Sequence, residues 1–300
     1  MTKLSLPTLR ATFGDRLQEN VSLAPYTSAR IGGDADAFII ANSANELAEI
    51  FTELWKMDAP YLLLGGGSNL LISDDGFRGI VVLNKAKEIR FPEGECPSVW
   101  AETGAGLIQV AKQAATHGLD GLAWAAAIPG TIGGAVYGNA GAFGGDIAGV
   151  LHSVELLTKS GRETWVVEDM RYAYRSSTLK GVAIKAVILS AEIMLIEGNQ
   201  AQIQERMRSF IQERKKRQPP GASMGSMFKN PEGDYAGRLI EEAGLKGTRI
   251  GNVEISPKHA NFFVNHGETK AKDVKALIEL AQKKVFEKFG VKLELEIELV

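Results

Sequence analysis

LLLGGGSNLLI, residues 62–72, sets three glycines and a Ser-Asn pair between two short apolar runs. A two-residue hairpin is satisfied by one or two glycines, so three in a row suggest that something lies against the main chain. Two readings account for this. The stretch is either a tight surface turn or a loop whose N–H groups gather around a phosphate. The stretch alone leaves both open, and its surroundings have to decide.

Upstream, DAFIIA (36–41) reads as a strand, and Ser43-Ala44-Asn45-Glu46 fits a capping box that opens a helix through about Met57. YLLL (61–64), GIVVL (79–83) and SVWAET (98–103) are strand-like, and Gly106 to His117 reads as a helix with Gly118 placed to end it. The pattern then breaks. Residues 129–149, PGTIGGAVYGNAGAFGGDIAG, hold eight glycines and little periodicity. The run is too long for a turn and too apolar for a disordered linker, so an ordered loop wrapping a ligand is expected.

Further on, VLHSVELLT (150–158) and RETWVV (162–167) flank a Lys-Ser-Gly turn as a hairpin, and strand character continues over 181–195. Asn199 to Gln218 is a polar helix stopped by Pro219-Pro220-Gly221, the best domain boundary in the chain. The tail carries a short helix near 235–243, strands near 250–255 and 261–265, and a long helix from about Lys270 to Phe289 ended by Gly290. The last residues, VKLELEIELV, alternate strictly. Leu293, Leu295, Ile297 and Leu299 are expected on one face of a strand, with Glu294, Glu296 and Glu298 on the other.

Bulk properties exclude several classes. A hydrophobic fraction of 45% and a net charge of −2 describe a globular chain with no global pull on nucleic acid. One cysteine, Cys96, rules out an internal disulfide framework and suits a reducing compartment. The N-terminal MTKLSLPTLRATFGDRLQEN reads as a short amphipathic helix without the apolar core of a signal peptide. No run approaches the roughly 20 apolar residues that span a bilayer. A cytoplasmic protein with no membrane partner is therefore expected, and a monomer, since no exposed apolar stripe argues for a dimer.

The familiar nucleotide motifs are missing. G-x-G-x-x-G fails because Leu70 stands at the third glycine, and no P-loop occurs. Four scattered histidines and one cysteine make no metal site, and G-x-S-x-G is absent.

The set YTSARIGGDADAFI (26–39), LGGGSNLLI (64–72), IPGTIGGAVYGNAGAFG (128–144), YAYRSS (172–177), GSMFKNP (225–231), SPKHANFFVN (256–265) and LELEIE (293–298) resembles, in that order, the UDP-N-acetylenolpyruvoylglucosamine reductase (MurB) family. The match runs from about Tyr26 to Glu298. GGGSN is shared with other flavoproteins of the vanillyl-alcohol-oxidase type, whereas GSMFKNP with KHANFFVN is far more specific. The resemblance implies an α+β protein. Its FAD-binding fold would be of the vanillyl-alcohol-oxidase (PCMH) type in two subdomains, residues 1–80 and 81–218, with a C-terminal α/β substrate-binding domain over 219–300.

It also implies the ligands. FAD would be held non-covalently, its pyrophosphate on the backbone of Gly65, Gly66, Gly67, Ser68 and Asn69, where a Cβ would keep phosphate oxygens away from the N–H groups. Arg30, Thr131, Gly133, Gly134, Asn139 and Gly141 would be further cofactor contacts, with NADPH as reductant. The implied reaction reduces the enolpyruvyl ether of UDP-N-acetylglucosamine-enolpyruvate to UDP-N-acetylmuramate in peptidoglycan synthesis. Arg175 would stabilise the developing enediolate, Ser226 would donate the proton and Glu296 would help polarise the carboxylate. The family usually reads L-E-P-E-V where this chain has Leu295, so Glu294 and Glu298 stay open as alternatives to Glu296. Tyr174, Lys229 and Asn230 match substrate positions. The 51 positions between Arg175 and Ser226 leave little room for the tyrosine-bearing lid loop of one subtype, so the subtype without it is implied. Two rival readings are another FAD oxidoreductase of the same fold, such as an alcohol or sugar-lactone oxidase, and a non-catalytic nucleotide-binding module.

Overall fold

The computed structural model describes residues 5–180 and 185–300, so the opening of the expected 181–195 strand lies outside the described residues. The chain divides into two compact units. One comprises the N-terminal residues through Gln18 with Phe38–Gly66 and Gly79–Glu213, and the other comprises Glu19–Ala37, Gly67–Arg78 and Arg214–Val300.

The first unit is organised on a five-stranded antiparallel sheet. Its order is Gly161–Val166, Leu151–Thr158, Val187–Met194, Ser98–Glu102 and Ile89–Arg90. The 150–167 hairpin closes with Thr158 opposite Gly161, as the turn residues predict. Helix Leu107–Thr116 buries Leu107, Val110, Ala111, Ala114 and Ala115 in the same apolar cluster as Val99, Ala101, Leu156 and Ile193 of the sheet. Strand Tyr61–Leu64 runs parallel to Phe77–Asn84, with Tyr61 opposite Ile80 and Leu64 opposite Leu83. Gly65 thus begins at the carboxyl end of a parallel strand, where α/β sheets place their ligands. Helix Ala44–Lys56 starts where the capping box predicts, Ser43 Oγ accepting from the Glu46 amide at 3.1 Å. Glu46 reaches back one residue further than the standard box, to the Asn42 amide at 2.9 Å.

The second unit packs helices Ala236–Glu242 and Ala271–Phe289 with a three-stranded antiparallel sheet, Arg249–Ile250, Val253–Ile255 and Phe263–Asn265. The predicted stripe of the long helix is its buried face: Val274, Leu277, Ile278, Ala281 and Val285. Gly290, at φ 70°, ends it in the left-handed conformation that glycine adopts without steric cost. Phe228 and Phe263 are fully buried in this core and meet edge to face at 6.2 Å. Each contributes about 1.5–3 kcal/mol through burial alone.

Three expectations need correction. The 129–149 run is not loop throughout, because Ile132–Gly138 is a short helix followed by a miniature hairpin, Gly141–Ala142 with Gly145–Asp146. Thr131 Oγ1 caps the helix on the Gly134 amide at 3.4 Å, and glycines 133, 134 and 138 masked it by their poor helix propensity. The final ten residues are not one strand. Leu295 makes an isolated bridge to Phe228, residues 296–297 bend, and only Glu298–Leu299 pairs as a strand, parallel to Leu70–Leu71. The bend leaves Leu293 and Ile297 buried and Leu299 about half exposed, which breaks the predicted single apolar face. At the other end, the helix Leu6–Phe13 stops at Gly14, and Gln18–Ser22 is a strand.

Candidate functional site

The expected site residues fall into two constellations, one in each unit. In the first unit, Gly65 and Gly66 lie against the segment that opens the 132–138 helix. A Cβ on Gly65 would come within 2.6 Å of Thr131 Oγ1, and one on Gly66 within 3.0 Å of the Gly130 Cα. In the second, Gly67 has φ +58°, and a Cβ there would strike the Tyr26 carbonyl oxygen at 2.1 Å. The three glycines are therefore already crowded by the protein's own atoms, a side-chain hydroxyl at Gly65 and main chain at Gly66 and Gly67. The expectation that a Cβ would be resisted by phosphate has a nearer physical reason.

The amides tell a different story. Those of Gly65, Gly66, Gly67 and Asn69 donate to no group among the described residues. The carbonyl of Gly67, by contrast, accepts from the Ser28 amide at 2.9 Å, and that of Asn69 from the Glu298 amide at 2.9 Å. Unengaged main-chain N–H groups, those of Gly65 and Gly66 in the first unit and of Gly67 and Asn69 in the second, suit anionic oxygen, since unmet backbone donors otherwise cost free energy. The donor set suits a pyrophosphate.

Two neighbouring glycines have other reasons. A Cβ on Gly133 would meet Thr103 Cβ at 2.8 Å, and one on Gly141 would meet Asp146 Cβ at 2.7 Å, so both allow close packing. Gly134 has only ordinary clearance, 3.7 Å to Thr131 Oγ1. Asn139 is buried in the left-handed conformation at φ 46°, its side chain bonded to protein on both sides.

Arg175 sits at the tip of the turn 172–177. Ala173 and Ser176 exchange amide-to-carbonyl bonds at 3.1 Å, leaving Tyr174 and Arg175 as the two turn residues. Arg175 takes φ +57°, a conformation that costs a residue with a Cβ about 1–2 kcal/mol. Its Nη2 donates to the Gly141 carbonyl at 3.0 Å and its Nη1 to the Asn139 carbonyl at 3.4 Å. The guanidinium carbon lies 5.2 Å from the centre of the exposed Tyr174 ring.

In the second unit, Met227, next to Ser226, donates its amide to the Asn261 carbonyl at 2.8 Å and accepts at its carbonyl from the Glu296 amide at 3.0 Å. Asn261 Oδ1 accepts from the Phe228 amide at 2.9 Å, and Nδ2 donates to the Phe228 carbonyl at 2.8 Å. The segment bearing Ser226 is thus clamped from two sides and brought next to Glu296. Ser226 is half-buried, follows Gly225 at φ +80°, and its hydroxyl makes no hydrogen bond among the described residues. Asn69 Nδ2 donates to the Glu296 carbonyl at 3.0 Å, tying the glycine loop to the same place.

The three candidate glutamates separate. Glu294 is exposed and pairs with Lys229 at 3.4 Å, whereas Glu296 and Glu298 are half-buried. Asn230 Oδ1 accepts from the Ala236 amide at 3.1 Å and so supports the start of the 236–242 helix. Arg30 is exposed, in a loop that Thr27 Oγ1 braces by accepting from the Ile31 amide at 3.1 Å. Beside Asn261, burial holds the His259 imidazole below its ordinary pKa, with the Lys246 charge adding to the effect. Asn261 was missed in the sequence. Its signal was a lone amide inside the apolar run HANFFV.

A family model described as the C-terminal domain of UDP-N-acetylenolpyruvoylglucosamine reductase matches residues 215–300, and one described as an FAD binding domain matches 35–166. A reductase of that name from Chloroflexus aurantiacus is 41% identical over 284 residues, covering 93% of this chain and 95% of the relative. One from Streptococcus pneumoniae is 39% identical over 287 residues, covering 95% and 93%. The crystal structure of UDP-N-acetylenolpyruvylglucosamine reductase from Thermus caldophilus superposes with a TM-score of 0.81 at 35% identity, over 95% of this chain and 98% of that one. The α+β, FAD-binding fold that the resemblance implies is the one found. With fold, donor set and full-length similarity in agreement, the chain belongs to the UDP-N-acetylenolpyruvoylglucosamine reductase family of FAD enzymes.

Proposed function

We propose that this chain reduces the enolpyruvyl ether of UDP-N-acetylglucosamine-enolpyruvate to UDP-N-acetylmuramate in peptidoglycan synthesis, with NADPH as reductant and Ser226 as proton donor. FAD, when bound, would supply the hydride chemistry that links NADPH to the terminal alkene carbon, by way of its N5. In this reading residues 1–80 and 81–218 serve the cofactor and 219–300 the substrate. The enzyme works as a cytoplasmic monomer. Among the described residues no helix is long and apolar enough to cross a membrane.

The protein's own part is charge and proton management. The unengaged amides of Gly65, Gly66, Gly67 and Asn69, with Ser68 between them, hold the two negative charges of the pyrophosphate. Arg30, Thr131, Gly133, Gly134, Asn139 and Gly141 complete the cofactor contacts, Asn139 through its main chain because its amide is engaged. As hydride arrives, charge builds on the carbon beside the substrate carboxylate and spreads to its oxygens. Arg175 meets those oxygens with a planar fork of donors. Ser226 Oγ gives its proton to the carbon and recovers one from solvent. Glu296 shares in polarising the carboxylate. Tyr174, Lys229 and Asn230 bind the sugar nucleotide.

The observation that carries this reading is Ser226, clamped beside Glu296 with its hydroxyl unengaged. An alcohol or lactone oxidase has no use for that arrangement. The test is anaerobic. The purified protein should be yellow, NADPH should bleach it, and UDP-N-acetylglucosamine-enolpyruvate should restore the colour, while alcohols and lactones leave it bleached. Recovery of colour with an alcohol or lactone alone would overturn the assignment.

A further inference from the structure

The turn that carries Arg175 is fastened, through three side chains, to the end of the 132–138 helix. Tyr172 Oη donates to the Val136 carbonyl at 2.9 Å, and Ser177 Oγ, on a buried residue, donates to the Tyr137 carbonyl at 2.7 Å. Asn139 Nδ2 donates to the Ala173 carbonyl at 3.2 Å and to Asp146 Oδ2 at 3.4 Å, while Asn139 Oδ1 accepts from the Ala148 amide at 3.0 Å. The carbonyls of Asn139 and Gly141 then take the two guanidinium bonds.

The last carbonyls of a helix have no partners within it and must find them elsewhere. Here the arginine's own turn meets two of them, those of Val136 and Tyr137, while the Asn139 and Ala140 amides meet that of Ala135. Tyr172, Arg175 and Ser177 together place four donors on the carbonyls of Val136, Tyr137, Asn139 and Gly141. Burial raises the Tyr172 phenol's pKa, with the Asp146 charge adding to it, so the phenol stays a donor. The guanidinium is anchored through Nη1 and Nη2 to the Asn139 and Gly141 carbonyls. Its backbone is held in a left-handed conformation that it would not keep unassisted.

We propose that Tyr172, Ser177 and Asn139 are positioning residues for Arg175, locking its turn to the helix end so that the guanidinium fork is aimed before substrate binds. The proposal rests on the reading of Arg175 as the group that meets the substrate carboxylate. Pre-orientation matters because a fork that must reorganise during the reaction loses much of its effect on the developing charge.

The test is a double-mutant cycle on holoenzyme, following single-turnover reoxidation of the NADPH-reduced protein by UDP-N-acetylglucosamine-enolpyruvate. Ser177→Ala should lower the limiting rate by about tenfold, and Ser177→Thr, which keeps the hydroxyl, should recover most of it. In an Arg175→Ala background, Ser177→Ala should change the rate by less than about twofold, because the residue it acts through is gone. Equal slowing in both backgrounds would overturn the positioning role while leaving Arg175's own role standing. An Arg175→Ala protein as fast as the parent would overturn both. Should Ser177→Ala fail to retain FAD, Tyr172→Phe removes only the bond to Val136 and carries the same comparison with the same outcomes.

Discussion

Ser226→Ala is expected to leave reduction of the bound flavin by NADPH at its parental rate and to slow reoxidation by the enolpyruvyl substrate by a hundredfold or more. Losing one well-placed donor to a developing anion costs on the order of 3 kcal/mol, which is roughly that factor. The two half-reactions make different demands. Hydride transfer from nicotinamide leaves no carbanion to be protonated, whereas transfer to the alkene does. The substitution is structurally mild. The hydroxyl has no hydrogen bond to lose among the described residues, and the neighbouring Met227 and Phe228 keep their main-chain clamp on Asn261 and Glu296. Rapid-mixing absorbance separates the two steps. Equal slowing of both would remove Ser226 from the proton-donor role.

Gly67→Ala should be the most damaging single methyl in the glycine loop. Its Cβ would sit 2.1 Å from the Tyr26 carbonyl oxygen and 2.9 Å from the Thr27 Cα, both main-chain atoms, and φ is +58°. Neither neighbour yields easily, because the same stretch is tied by the Ser28 amide to the Gly67 carbonyl and by Thr27 Oγ1 to Ile31. A stability loss of about 2–3 kcal/mol is expected, together with at least about a tenfold loss of FAD affinity as the loop's amides are displaced. Thermal melting with and without added FAD measures both. Gly94→Ala is the control, since it lies outside the proposed cofactor contacts and a Cβ there meets nothing within 4 Å. A Gly67→Ala protein that binds FAD as tightly as the parent would show that the loop's geometry is not what holds the cofactor.

Much of this architecture could be read directly from the chain. Ser43 before an apolar periodicity and Gly290 after one fixed two helices, because capping and the 3.6-residue stripe are local in sequence. The Lys159-Ser160-Gly161 hairpin was equally local. The 132–138 helix was hidden because its support is distant. The Ile132 and Gly133 amides donate to the Ala105 and Thr103 carbonyls, and three of its seven residues are glycines. The last strand failed for a similar reason. Strict alternation predicts a straight ribbon, but pairing with Phe228 at one end and Leu70–Leu71 at the other bends it at Glu296.

The candidate site shows the same division. GGGSN announced an unusual loop, yet the partners that forbid side chains there, Gly130, Thr131 and Tyr26, are well separated from it in sequence. Asn261 and Ser177 carry no chemistry of their own to advertise them. Their importance lies in which carbonyls and amides they reach, and only the folded chain reveals that.

The central claim is that the main chain of residues 65–69 grips the cofactor's pyrophosphate, and amide hydrogen exchange on apoprotein before and after one equivalent of FAD tests it most directly. The amides of Gly65, Gly66, Gly67 and Asn69, which have no protein acceptor among the described residues, should exchange fast without FAD and become strongly protected with it. Stoichiometric FAD uptake that leaves all four exchanging as before would contradict the account.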